Sequence, residues 1–162
     1  MPIPRSIEQF LQDQHVAYSV LHHRAAYTAQ EEAAVAHVPG RQWAKTVACI
    51  ADDRPVLAVV PATSFVDFDR LRQVAGARQV RLAAEREFER LYPDCETGAM
   101  PPLGPLYGQP VYVDRRLTDA GEITFDGGSH REAVTMKYDD FARAVQPTIG
   151  DFARGRGGTV QH

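Results

Sequence analysis

The stretch Trp43-Ala44-Lys45-Thr46-Val47-Ala48-Cys49-Ile50-Ala51 runs into Asp52-Asp53-Arg54 and then into Pro55-Val56-Leu57-Ala58-Val59-Val60-Pro61. Two apolar runs rich in valine and small residues flank a short charged break, which is how two strands and a tight connection read. The spacing predicts a strand over 45–51, a hairpin turn at Asp52-Asp53-Arg54 and a returning strand over 55–61. Alternation along the first strand places Lys45, Val47 and Cys49 on one face and Thr46, Ala48 and Ile50 on the other. Lys45 is the one charge in the first run.

Outward from this hairpin, helices and further strands alternate. Ile7, Phe10 and Leu11 stand at helical spacing and predict a helix from about Ser6, the N-cap, to Gln14. A short strand over 16–21 follows. Thr28-Ala29-Gln30-Glu31 has the capping-box pattern, and Ala33, Ala34 and Val35 continue a helix that Pro39-Gly40 stops. Beyond the hairpin, Phe68, Leu71 and Val74 predict a helix over 67–75, then a strand over 79–82 and a helix over 85–91. The segment 92–110 has no periodicity. Its buried-type residues Met100, Leu103 and Leu106 favour an ordered loop, and long ordered loops in small domains usually carry function. Strands over 111–114, 122–125 and 132–136 and a helix over 138–145 complete the chain. Strands mixed with helices predict a single α+β domain with a mixed, strongly curved, barrel-like sheet flanked by helices. That domain spans 1–152, and 153–162 reads as a flexible Arg/Gly tail.

Composition bounds the function. The 162 residues suit one domain with a normal core. No apolar run approaches the roughly 18 residues that span a membrane. Met1-Pro2-Ile3-Pro4-Arg5 lacks the apolar core of a signal peptide. Cys49 and Cys95 form neither a metal spacing nor a disulfide framework, which points to a reducing cytoplasm. A net charge of −3 argues against gripping DNA or RNA by bulk electrostatics, and leaves open recognition of one nucleic-acid end in a small pocket.

Sixteen of the eighteen basic residues are arginine; the two lysines are Lys45 and Lys137. A lysine offers a compact point charge where arginine offers a broad planar fork. Lys45 reads in two ways: a strand-entry residue that snorkels its amine to water, or an amine at a pocket mouth that holds a carbonyl or phosphate oxygen. The segment Gly98-Ala99-Met100-Pro101-Pro102-Leu103-Gly104 is a second candidate, either a stiff loop with ligand-facing backbone or a Pro-rich connector. Phe125-Asp126-Gly127-Gly128-Ser129-His130 is a third. Neighbours on one tight turn cannot form the spatial relay of a Ser/His/Asp hydrolase, and a Gly-Gly turn opening a pocket floor is the better reading. His22 and His23 end the first strand, where they orient a substrate or lie on the surface. Cys95 is a nucleophile or a small apolar residue.

The order His23, Thr28-x-x-Glu31, Ala44-Lys45-Thr46-Val47, Pro61, Gly98-x-x-x-Pro102-x-Gly104, Val113-Asp114 and Phe125-x-Gly127-Gly128 resembles the YbaK/prolyl-tRNA-synthetase-associated editing domain family. That family includes free-standing ProX-type proteins, and the resemblance runs from about residue 6 to residue 145. It implies hydrolysis of the ester joining a wrong amino acid to the 3′ end of a tRNA, with no cofactor, no metal and no covalent protein intermediate. Lys45 matches the family's functional lysine. Gly98 and Pro102 match the loop that holds the terminal adenosine and the ester carbonyl, which brings Met100 and Pro101 to the substrate with them. Gly127, Gly128, His23 and His130 complete the expected substrate side. The implied partners are a mischarged tRNA and an aminoacyl-tRNA synthetase, with no membrane and no DNA. The edited amino acid stays open among Ala, Ser, Thr and Cys. Asp126, before the glycine pair, stands where many relatives carry a small or neutral residue. Two other readings remain: a non-catalytic tRNA-end or synthetase-binding module, and a hydrolase using Ser129 or Cys95.

Overall fold

The computed structural model describes residues 3–155. Helix α1 (Arg5–Asp13) buries Ile7 and Leu11, and β1 (Tyr18–His22) leads to α2 (Ala29–Val35). The hairpin β2 (Ala44–Ala51) and β3 (Arg54–Pro61) is followed by β4 (Phe65–Val66), α3 (Phe68–Ala75), β5 (Val80–Leu82) and α4 (Glu85–Leu91). Then come α5 (Gly104–Tyr107), β6 (Val111–Asp114), a 3-10 turn (Arg115–Leu117), β7 (Glu122–Asp126), β8 (Glu132–Lys137), α6 (Tyr138–Val145), β9 (Thr148–Gly150) and β10 (Ala153–Arg154).

Local chemistry explains the boundaries. Asp52 and Asp53 both take positive φ, at 47° and 69°, which gives a two-residue hairpin connection the twist of its strands. The Asp52 carboxylate also accepts the backbone N–H groups of Arg78 and Gln79 and is held below its usual pKa by those bonds, so the hairpin tip ties down the start of β5. Thr28 caps α2 by accepting the Glu31 N–H at 3.1 Å, as the capping-box pattern predicts. Asp67 caps α3 in the same way, and Gly76 ends it at φ 66°. Ser6 is not the cap of α1. Pro4 holds that position, and the Ser6 hydroxyl instead donates to Asp94 at 3.2 Å.

The strands form three sheets. The largest has the order β5-β2-β3-β6-β9, with β5, β2 and β3 antiparallel and β6 and β9 added in parallel. A second, antiparallel sheet has the order β1-β8-β7, and β4 pairs with β10. The expected barrel-like single sheet is therefore corrected. Among the described residues only the isolated bridge between Trp43 and Thr124 joins the two larger sheets. The bond across that bridge runs from the Thr124 N–H to the Gln42 carbonyl at 3.0 Å.

The larger sheet is covered on both faces, which is why all eight residues of β2 are buried. Ala44, Ala48, Leu57 and Val59 pack with Ile123, Phe125, Val134, Phe141 and α1. Val47, Cys49, Val56, Ala58 and Val60 pack with Leu71 and Phe152. The face carrying Val47 and Cys49 is thus solid core, and only its Lys45 end opens outward. Ala153 and Arg154, assigned by sequence to the tail, pair with Val66 and Phe65 because Phe152 anchors them in the core. The rest of the tail, 156–162, lies outside the described residues. Among the described residues no helix is long and apolar enough to cross a membrane.

Candidate functional site

Lys45 sits in the second residue pair from the hairpin's open end, opposite Val60, and is 8% exposed. Its ammonium lies 4.7 Å from the centre of the Phe65 ring, a favourable contact for a cation over a π face. It opens on a pocket of about 240 Å³ lined by Thr28, Ala29, Gln30, Glu31, Ala62 and Phe65. Among the described residues no carboxylate pairs with it. Burial alone pulls its pKa down to about 8. A cation placed in a confined pocket without a counter-ion is a costly arrangement that an incoming carbonyl or phosphate oxygen relieves.

The cost has a testable sign. Because the folded pKa lies below lysine's ordinary 10.5, the charged amine destabilises the fold at neutral pH, and this penalty fades as pH rises from about 8 towards 10.5. Lys45→Met is therefore expected to raise the melting temperature by a few degrees at neutral pH, with the gain shrinking towards zero at strongly alkaline pH. A melting-temperature series across pH checks it, and a uniform gain at every pH would contradict it.

The Gly98 segment and the Gly127-Gly128 turn are clamped to each other. The Glu96 N–H donates to the Gly128 carbonyl at 2.8 Å, and the Gly128 N–H donates to the Ala99 carbonyl at 3.0 Å. The His130 N–H donates to the Glu96 carboxylate at 2.7 Å, and His130 Nε2 donates to the Thr97 carbonyl at 2.9 Å. Gly98 turns at φ 83° and stays half-buried at the bend. Met100, by contrast, is fully buried in the core, and Pro101 and Pro102 are buried behind it. The three side chains anchor the loop in the core, and the exposed residues just before the Gly98 bend are Glu96 and Thr97.

Gly127 and Gly128 are buried as well. They face Ile3 and Pro4 rather than a pocket floor. Gly128 has φ 101°, and a Cβ there would lie 2.6 Å from the Pro4 ring. Gly128→Ala is expected to cost about 1–3 kcal/mol, the range for a side chain forced into sparsely populated backbone space. Chemical denaturation checks this.

His130 joins the two halves of the site. Its ring packs against Tyr27 at 5.3 Å, and Tyr27 precedes the Thr28–Glu31 wall of the Lys45 pocket. Tyr27 itself is 65% exposed. His130 Nδ1 lies 3.4 Å from Glu32, and His23 Nε2 lies 3.7 Å from the other oxygen of that carboxylate. Asp126 completes this group: one ligand-type atom each from Glu32, Asp126 and His130 lie within 4.8 Å of one another. His23 is thus an interior partner of Glu32, with a side chain 1% exposed. Glu32 and Tyr27 escaped the sequence reading. The one signal for Glu32 was its place directly after the Thr28-x-x-Glu31 cap.

The alternative nucleophiles are engaged or protonated. Burial pushes the Cys49 thiol up to about 12 and the Cys95 thiol up to about 11, so neither is a thiolate near neutral pH. The Ser129 hydroxyl donates to Glu132 and accepts the Arg131 and Glu132 N–H groups, which makes it a turn-forming side chain rather than one paired with a base.

The sequence profile of the aminoacyl-tRNA editing domain family matches residues 23–144, from the end of β1 into α6. A proline–tRNA ligase of Geobacter metallireducens is 25% identical over 112 residues, 69% of this chain and 19% of that enzyme, so the chain spans about a fifth of that relative's length. Among solved structures, a candidate trans-editing enzyme for prolyl tRNA synthetase superposes with a TM-score of 0.79 at 20% identity, over 95% of this chain and 100% of the other. A hypothetical protein superposes with a TM-score of 0.82 at 19% identity, over 93% and 100%. These two share the fold. On the profile match, which takes in both clamped turns and Lys45, the chain belongs to the aminoacyl-tRNA editing domain family.

Proposed function

We propose that this protein is a trans-editing hydrolase that cleaves the ester between a small, wrongly attached amino acid and the 3′ end of a tRNA. The observation that carries this reading is Lys45, an unpaired ammonium in a small, mostly apolar pocket. Small amino acids that differ by a methylene or hydroxyl escape a synthetase pocket, because such a group is worth only about 1–3 kcal/mol, and a second, hydrolytic sieve removes them. A pocket of about 240 Å³ suits such an aminoacyl group better than a bulky one.

The ester is already activated, so holding it still and excluding the wrong substrates supplies much of the rate. In this reading Lys45 holds the carbonyl or a terminal oxygen of the substrate, and the turn at Thr97 and Gly98 receives the terminal adenosine. A water, assisted by a ribose hydroxyl, attacks the carbonyl carbon. The ester C–O bond then breaks, leaving a free amino acid and a tRNA hydroxyl. The protonated Cys49 and Cys95 and the engaged Ser129 support a route with no covalent protein intermediate. The match to a proline–tRNA ligase supports tRNA as the carrier and a synthetase as the partner.

The test is a panel of tRNAs misacylated with alanine, serine, threonine or cysteine. Release of amino acid from at least one member, well above the spontaneous rate, is expected. If every member stays charged at the spontaneous rate while the protein still retains tRNA on a filter, the chain is a binding module and the hydrolytic reading fails.

A further inference from the structure

We propose, on the editing reading above, that Glu32 is a positioning residue of the site. With the half-buried Asp126 it forms a close pair of carboxyl groups that fixes His130 and, through His130, the Thr97 carbonyl and the Gly98 turn.

The argument is one of donors and acceptors. Glu32 is 1% exposed, on a helix whose next residue, Ala33, also faces inward. Both imidazoles beside it are locked from the far side by backbone carbonyls, His130 Nε2 by Thr97 at 2.9 Å and His23 Nδ1 by Arg24 at 2.8 Å. A carbonyl only accepts, so each of those nitrogens carries a hydrogen. The remaining nitrogens, His130 Nδ1 and His23 Nε2, point at the two oxygens of Glu32, and a neutral His130 ring would set lone pair against lone pair. Asp126 adds a third acceptor group. Its Oδ1 and the Glu32 Oε2 have no hydrogen-bond donor in the protein.

Acceptors packed this closely away from water are held together by protons between them. Burial, and then the bond to Glu32, keep the Asp126 carboxyl well above the usual carboxylate range. The same carboxylate raises the His130 imidazole. The charged and titratable groups facing the cluster are His23 after β1, Glu32 on α2, Asp126 on β7, His130 on the following turn, and Cys95 and Glu96 from the segment before Gly98.

The clamp has a geometric consequence. Glu96 and Ala99 are tied to Gly128 by backbone bonds, but Thr97, the exposed residue between them, is held through the His130 ring. The direction of that ring is set by Glu32. Loss of Glu32 frees the ring and lets the turn that receives the substrate wander while the core and the Lys45 pocket stay in place. The pH sign also follows. Asp126 and His130 have folded values above their ordinary ones, so their contribution is complete when they are protonated and is lost as pH rises through the folded values.

The test uses the full chain and the panel member that wild type cleaves. Glu32→Ala is expected to lower kcat by about tenfold or more, with KM within about twofold and faster hydrogen exchange at the Gly98 and Ala99 amides. Glu32→Gln, which can still accept from His130, is expected to recover much of the kcat. Asp126→Asn removes a titrating group and is expected to flatten the fall of melting temperature towards alkaline pH. The proposal is overturned if Glu32→Ala keeps wild-type kcat and exchange, or if Asp126→Asn shows the wild-type pH dependence of melting. Stoichiometric binding of zinc or cobalt that Asp126→Asn abolishes would also overturn it, by showing a metal rather than protons between these groups. If Glu32→Ala fails to fold, Glu32→Gln carries the exchange comparison. If wild type cleaves no panel member, the editing reading fails on its own, and the exchange and melting series still decide the clamp.

Discussion

Lys45→Ala is expected to lower kcat/KM for the cleaved mischarged tRNA by about 100-fold, while the protein stays folded and no less stable. The magnitude is that of losing the geometry of a reacting group, where a displacement of about 1 Å costs on the order of 10²-fold. The stability half follows from burial. Lys45 has no ion pair to lose among the described residues, and its charge is held in a pocket that pulls its pKa down to about 8. Lys45→Arg is expected to restore little. A planar guanidinium on this strand has to pass the Phe65 ring and the Ala62 wall of a pocket of about 240 Å³, and it spreads its charge where the amine concentrates it. Single-turnover deacylation of the panel substrate, with a melting curve for each variant, checks both halves. An alanine variant with wild-type kcat/KM removes Lys45 from the site and leaves the hydrolase to other residues.

Gly104→Ala is expected to have the largest effect on stability, about 4 kcal/mol or more, at the upper end of single substitutions. Gly104 is the first residue of α5, where the chain doubles back so that the Gln109 N–H donates to the Gly104 carbonyl at 2.9 Å. A Cβ at Gly104 would lie 2.2 Å from the Gln109 carbonyl oxygen and 2.4 Å from Val111. The oxygen belongs to backbone, which cannot rotate away as a side-chain tip can. Moving it shifts Gln109, whose side chain accepts the buried Tyr92 hydroxyl, and the entry of β6. The same shift pulls on Met100 and Leu103, the core anchors of the Gly98–Gly104 loop. The expected result is a large drop in denaturation midpoint together with loss of deacylation. A variant within about 1 kcal/mol of wild type would mean that the Gln109 backbone yields more readily than its packing implies.

The predicted elements are found close to their expected positions because each rests on a local rule. The Asp52-Asp53 turn, the Thr28 and Asp67 caps and the alternating apolar residues of β2 and β3 are short-range signals. The misses are elements with no local pattern of their own. β4, β9 and β10 are two or three residues long and exist because a longer strand or Phe152 holds them. α5 is a single turn inside the Pro-rich segment, formed where Gly104 meets Gln109. The expected barrel gave way to separate sheets whose two larger members meet, among the described residues, at the single Trp43–Thr124 bridge.

The site divides the same way. Lys45, Gly98 and His130 were legible as residue types out of place: a lysine in an arginine chain, a glycine in a stiff loop, a histidine after a glycine pair. Glu32 and Tyr27 were not, since a glutamate and a tyrosine next to a helix cap look like solvated surface. Tertiary structure alone put Glu32 between His23 and His130: His130 lies 98 residues further along the chain, and the two meet only because β1, α2 and the β7–β8 turn come together. By itself the sequence determined the strands, the caps and the one cation worth testing, because those follow from neighbours along the chain. Which acceptors share a buried proton, which glycines face backbone and which prolines face the core were decided by packing, because desolvation and contact depend on what the fold brings together.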